Sequence, residues 1–244
     1  MLDLHVIQIV AVICSALAAS GVAAVAGFGG AVLLMPALVW AFGVREAVPI
    51  LTIAQLVGNG SRVWFNRSDV HRPVVLWYSL GAVPCALLGG LLFATAPLPW
   101  LSRGVGGFLV TVFLYRRLGR RSYPRVPGRA FWMVGAVASM LSALVGSTGP
   151  LTAPFFLSCG LAGGAYIGTE AAATVITHVF KLIAYGGRGI LQAQVLLTGL
   201  LLAPVMVLGS LIGKRVLDRL SQDVFAAIVE WICLLAGTVM LVRG

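Results

Sequence analysis

The chain has 244 residues, 60% of them hydrophobic and only 10% charged, with 17 Lys or Arg against 7 Asp or Glu. Soluble domains carry about a quarter charged residues, so an ordinary soluble enzyme and a disordered chain are both excluded. The formal net charge of +10 does not point to nucleic acid: the cations sit in short gaps between apolar runs, as the positive-inside rule of membrane proteins requires.

The mean hydropathy is +1.02. Several apolar runs are about 17–25 residues long, enough to cross a bilayer. The expected fold is an all-α polytopic membrane protein with about eight transmembrane helices plus two short half-helices. The first run, 4–25, is expected to be a retained helix: Asp3 and His5 precede it, with no Lys or Arg and no cleavage site of small residues. It ends in Gly27-Phe28-Gly29-Gly30, and a shorter stretch, 31–42, follows with Pro36 inside it. After Arg45 and Glu46 comes a run over 47–65, then a basic gap with Arg62, Arg67, His71 and Arg72. Further runs cover 73–96 and 100–115, separated by a turn at Pro97 and Pro99.

Residues 116–129 hold six arginines, Pro124, Pro127 and Gly128. They read as a cytoplasmic linker between a first repeat, 1–115, and a second, 130–244. The second half repeats the order. A run over 130–145 ends in Gly146-Ser147-Thr148-Gly149, a short stretch over 150–161 contains Pro154, and a glycine-bearing gap precedes a run over 169–185. Runs over 190–213 and 224–242 close the chain. Gly27 and Gly146 lie 119 residues apart, as do Gly30 and Gly149, while Pro84 and Pro204, and Gly89 and Gly209, lie 120 apart. Glu46 and Glu170 lie 124 apart and need a four-residue insertion. The pattern is that of a duplicated transporter.

The short stretches leave two arrangements open. Twelve residues reach about 18 Å, short of the hydrocarbon core of about 30 Å. As re-entrant half-helices they give parallel halves. As short crossings they give inverted halves, which place Lys214, Arg215 and Arg219 inside with the linker.

Two glycine-rich breaks carry the chemistry. Backbone at that depth must find partners or line a watery cavity, and a half-helix starting there presents free N–H groups to an anion. Gly29, Gly30 and Gly149 allow close backbone approach, and Ser147 and Thr148 add hydroxyls. The competing reading is close helix packing through small residues. Past the second break, Glu170, Thr174, Thr177, His178 and Lys181 share one helix face. Lys181 is placed to neutralise an anion and His178 to carry a proton; the alternatives are a snorkelling lysine and a structural histidine. In the first half Thr52, Gln55, Asn59 and Arg62 again share a face, with Arg62 either on the path or at the interface. Both faces together suit one polar path for a small anion. Glu46 and Glu170 are expected to open their helices, where a carboxylate suits the dipole.

No nucleophile elbow, Walker loop or metal-ligand pair is present, and Gly27-Phe28-Gly29-Gly30 is no dinucleotide fingerprint. Neither enzymatic activity, nor a cofactor, nor a metal is expected. Cys14, Cys85, Cys159 and Cys233 lie far apart inside apolar runs and read as small apolar residues.

With Gly-Phe-Gly-Gly-x5-Pro in the first half and Gly-Ser-Thr-Gly-x4-Pro in the second, the chain resembles the TauE/SafE family of membrane permeases over essentially its whole length. The second break departs from Gly-Gly-Gly at Ser147, Thr148 and Pro150. The resemblance implies secondary transport of sulfite, organosulfonates or related anions across a bacterial inner membrane, without a bound cofactor. The substrate site expected from residues and resemblance together comprises Gly27, Gly29, Gly30, Asn59, Gly146, Ser147, Thr148, Gly149, Thr174, Thr177, His178 and Lys181. A passive anion channel and a non-transport assembly component are the competing functions.

Overall fold

The computed structural model describes residues 2–26, 30–118, 126–216, 231, 234–235 and 237–242. Gly27 and Gly29, most of the basic linker, Cys233 and much of the last run lie outside the described residues, as do the side chains of Lys214 and Arg215 and all of Arg219.

The described residues are helical apart from turns. In chain order the helices are α1 (Leu2–Ala26), α2 (Gly30–Phe42), α3 (Val44–Phe65), α4 (Arg72–Thr95), α5 (Leu98–Leu118), α6 (Phe131–Val145), α7 (Gly149–Ser158), α8 (Gly163–Gly186) and α9 (Ala193–Val216). A 3₁₀ turn, Gly128–Ala130, leads into α6, and residues 237–242 are helical. Five helices, α1, α4, α6, α8 and α9, are long and apolar enough to cross a membrane. At 22 residues α3 has the length, but Arg45, Glu46 and Arg62 lower its hydropathy.

Among the described residues the helix ends fall within three residues of the expected runs except at the start of α8. The glycine-bearing gap before Thr169 is helical, so α8 begins at Gly163. Glycine is a poor helix former, but here it permits a close contact: Gly164 and Gly168 lie against Asn66 and Asp69 of the α3–α4 turn, where a β-carbon would collide. Glu170 is therefore two turns inside α8 and does not open it. Glu46, by contrast, lies in the first turn of α3 as expected. The starts of α3 and α8 differ by 119 residues, so Glu46 and Glu170, 124 apart, stand at different places in their helices.

The two short helices turn back. Gln8 on α1 donates to the carbonyl of Trp40 near the end of α2 at 3.3 Å, so α2 runs antiparallel along α1. Likewise α7 returns along α6: Thr148 Oγ1 donates to the Ala138 carbonyl at 3.1 Å, and Cys159 Sγ to the Val126 carbonyl, just before α6, at 3.6 Å.

The central pair is α3 and α8, which run antiparallel. Arg62 near the end of α3 faces Glu170 near the start of α8. At the opposite end, Arg45 donates to the carbonyls of Ala94 and Ala96, where α4 ends. There Phe93 of α4 packs on Tyr185 near the end of α8, with ring centroids 5.2 Å apart. Around this pair α1 packs on α9, α4 on α6, α3 on α9 and α4 on α8. Leucine, isoleucine and valine side chains on α4, α6 and α9 remain exposed, as a lipid-facing surface requires.

Candidate functional site

Lys181 is the fifth-turn residue of α8 and is 0% exposed. It does not snorkel. Its ammonium donates to Ser142 Oγ at 3.2 Å and to the Gly146 carbonyl at 3.0 Å. An ammonium has three N–H donors, and among the described residues no carboxylate pairs with this one. An unpaired buried charge costs several kcal/mol.

The second break supplies this geometry. Gly146 ends α6 with φ at +93°, and a β-carbon there would collide with the Met35 methyl group and press on Leu51. That left-handed conformation costs an L-residue about 1–2 kcal/mol. It turns the Gly146 carbonyl, at the negative end of α6, to where Lys181 meets it. The chain then re-enters helix at Gly149. Ser147 is half-buried there, and its Oγ accepts from the Gly149 N–H at 3.5 Å.

The first-half counterpart is Arg62, 6% exposed. It is packed inside the protein in the last turn of α3. It donates to the Ala23 carbonyl at 3.2 Å and to Asn59 Oδ1, and Nη1 lies 3.8 Å from Glu170 Oε2. Glu170 Oε1 accepts from Thr174 at 3.1 Å. Asn59 and Thr174 are thus brought to the Arg62 end.

The two polar faces form a column, not one cluster. From Glu170 to Lys181 is about 16 Å along α8. Between these ends, Gln55 stands about 10 Å along α3 from Arg62, and His178 about 12 Å along α8 from Glu170. Because the helices are antiparallel, both lie at a similar level. Gln55 is 4% exposed and His178 1%, and neither Gln55 Nε2 nor His178 Nδ1 has a hydrogen-bond partner. Orphaned buried polar atoms are rare and costly. Two at one level suit a polar ligand held there.

The remaining expected residues divide. Thr177 Oγ1 donates to the Ala173 carbonyl at 3.3 Å and meets Ser139 Oγ at 2.8 Å and Tyr78 OH at 3.3 Å. It ties α8 to α4 and α6. Thr148 is engaged by Ala138. Gly30 opens α2 against α1, where a β-carbon would come within 2.5 Å of the Ala19 carbonyl oxygen, so close packing accounts for it. Two cavities, of about 650 and 290 Å³, lie between α4, α5 and α6 and between α6 and α7. Their apolar walls, with Leu92, Trp100, Phe108 and Leu141, suit hydrocarbon and not an anion, and no charged residue lines them.

The family model "Sulfite exporter TauE/SafE" matches residues 12–240. The chain belongs to the TauE/SafE sulfite exporter family. Neither the curated proteins nor the solved structures compared with it gave a match. This TauE/SafE protein is a multi-pass membrane protein of a transporter family that moves sulfite-type anions.

Sequence reasoning about the TauE/SafE chain passed over Ser139, Ser142 and Tyr78. Ser139 and Ser142 stand seven and four residues before Gly146, on the α6 face that meets α8. Their three-residue spacing within an apolar run was the available signal.

Proposed function

We propose that the chain is a secondary exporter of small sulfur oxyanions, sulfite or an organosulfonate, across a bacterial inner membrane. The anion binds in the polar column between α3 and α8, with Lys181 as its charge partner and Gln55 and His178 as hydrogen-bond partners at mid-depth. The observation that carries this reading is the fully buried ammonium of Lys181, held at a helix break without a carboxylate. Buried ionisable groups in membrane proteins mark substrate and ion pathways.

Two inverted repeats, 1–115 and 130–244, joined by a cytoplasmic linker, 116–129, are part of the proposal. Supporting them, α2 and α7 begin 119 residues apart, as do α3 and α8. Exchanging the halves turns the α1–α9 contact into α6–α4 and the α3–α9 contact into α8–α4. Gly89 on α4 lies against Met140 and Ala143 of α6, and Gly209 on α9 against Leu17 and Ser20 of α1. Arg62 and Lys181 are themselves 119 apart, and so are their partners Ala23 and Ser142. The antiparallel course of α3 and α8 favours inversion, the geometry in which sites form at the repeat interface.

The test is sulfite flux in proteoliposomes. Wild type gives saturable flux. Lys181→Ala lowers it about tenfold to a hundredfold, the equivalent of losing one charged hydrogen-bond partner, whereas Arg243→Ala leaves it unchanged. Unsaturable wild-type flux would make the protein a pore, and flux indifferent to Lys181→Ala would remove that residue from the path.

A further inference from the structure

Arg62 and Lys181 lie 119 residues apart, and one difference between their surroundings concerns charge. Beside Arg62 stands Glu170, 3% exposed. The residue 119 positions before Glu170 is Leu51, whose methyl group lies against Gly146, the residue that holds Lys181. One cation therefore has an internal anion and the other an aliphatic side chain. Among the described residues Glu170 is the one fully buried carboxylate.

The Arg62–Glu170 pair is also loose. Glu170 Oε1 accepts from Thr174, but Oε2 is 3.8 Å from Arg62 Nη1 and has no hydrogen-bond partner. That separation exceeds a hydrogen bond. A buried pair meant only to hold the fold satisfies its remaining lone pairs, and this one does not.

We propose that Glu170 is a resident counter-anion that exchanges Arg62 with the transported anion, and that each exchange takes up one proton. The inference rests on the anion-exporter reading above and adds its coupling site. In the resting column the Glu170 carboxylate offsets the Arg62 charge. When the substrate anion has moved along the column from Lys181 to the Arg62 end and takes the N–H groups there, the carboxylate is left buried without its cation and accepts a proton from the aqueous phase. The carboxyl O–H bond forms as the bond between that proton and its donor, hydronium or a buffer acid, breaks, and no other bond changes. When the anion leaves, the carboxyl releases that proton and pairs with Arg62 again. Anion and proton binding favour one another, and linkage makes the effect reciprocal.

Among the described residues no other acid is placed to do this. Facing Glu170 are Arg62 and Asn59 from α3 and Tyr78 from α4, with Tyr166 and Thr174 on α8 itself. The neighbouring Thr169 hydroxyl accepts from the backbone N–H of His71 at 2.9 Å. Towards α8, α6 brings the hydroxyls of Ser139 and Ser142. His178 and Lys181 lie further along α8, with His178 about 12 Å away, too far to pair with Arg62.

The experiment measures proton uptake when sulfite is added to purified full-length protein in weakly buffered detergent, followed with a pH indicator. The solution is alkaline enough that sulfite is all dianion and brings no proton of its own. With sulfite at saturation, so that the Arg62 end of the column is filled, wild type takes up about one proton per protein molecule. Glu170→Gln binds sulfite without proton uptake, Glu170→Asp restores uptake, and Glu46→Gln behaves as wild type. Proton uptake that survives Glu170→Gln overturns the proposal, as does sulfite binding by wild type without uptake. Loss of sulfite binding in both Glu170 variants also overturns it, leaving Glu170 a structural partner of Arg62. If wild type binds no sulfite at all, the exporter reading falls and takes the exchange with it, a result distinct from binding without protons.

Discussion

Lys181 is a long, charged side chain with no exposure, on a helix that lies in the middle of the protein. Its hydrogen bonds to Ser142 and Gly146 offset part of the desolvation cost and leave the charge itself unmatched. Fold stability alone does not account for such a residue. Lys181→Met, similar in length and apolar, is therefore expected to keep the melting temperature within a few degrees of wild type while abolishing sulfite transport. Thermal unfolding of the purified variant checks the first half of that statement and proteoliposome flux the second. The α8 face was legible residue by residue, because Glu170, Thr174, Thr177, His178 and Lys181 follow helical spacing. Their partners were not. Ser142 and Tyr78 come from other helices, and a lone hydroxyl within an apolar run looks like packing until the neighbouring helix is in place. For Arg62 the sequence left two readings, path and interface, since an arginine three residues from a helix end suits either.

At the scale of elements, the glycine breaks shape the site. Gly146 does two jobs: it takes a positive φ, and it leaves room for Met35. Gly146→Ala is expected to destabilise the protein by about 1–3 kcal/mol, seen as a lower melting temperature. Adding Met35→Ala relieves the steric part and leaves the backbone part, so the double variant recovers only partly. The two short helices were legible as elements because each follows a glycine cluster and is too short to span. The start of α8 was not. Gly163, Gly164 and Gly168 read as a gap, whereas contact with Asn66 and Asp69 selects glycine at 164 and 168 and a positive φ of 53° favours it at 163, and tertiary packing overrides a weak propensity. The misplaced start also turned Glu170 into an expected helix cap instead of a partner for Arg62.

For the molecule as a whole, charge placement leans towards inverted halves and the shortness of α2 and α7 towards parallel ones, and the decisive cations are few. The packing supports the inverted arrangement proposed above: α3 and α8 run antiparallel, with Arg62 opposite Glu170 at one end and both Arg45 and Tyr185 beside the end of α4 at the other. Inversion places the α3–α4 turn on the cytoplasmic side and the α8–α9 turn outside. In a cysteine-free background, Ser68→Cys is expected to resist a membrane-impermeant thiol reagent added to intact cells, and Arg188→Cys to react; both positions are exposed. Protection of both cysteines would instead mark parallel halves.

The account as a whole depends on the buried ammonium at the second break being the partner of the transported anion. Calorimetric titration of sulfite into purified wild-type and Lys181→Met protein measures that directly. The account predicts binding by wild type and at least a tenfold weaker affinity in the variant, about 1.4 kcal/mol, with its fold intact. Equal affinity in the two proteins would contradict it.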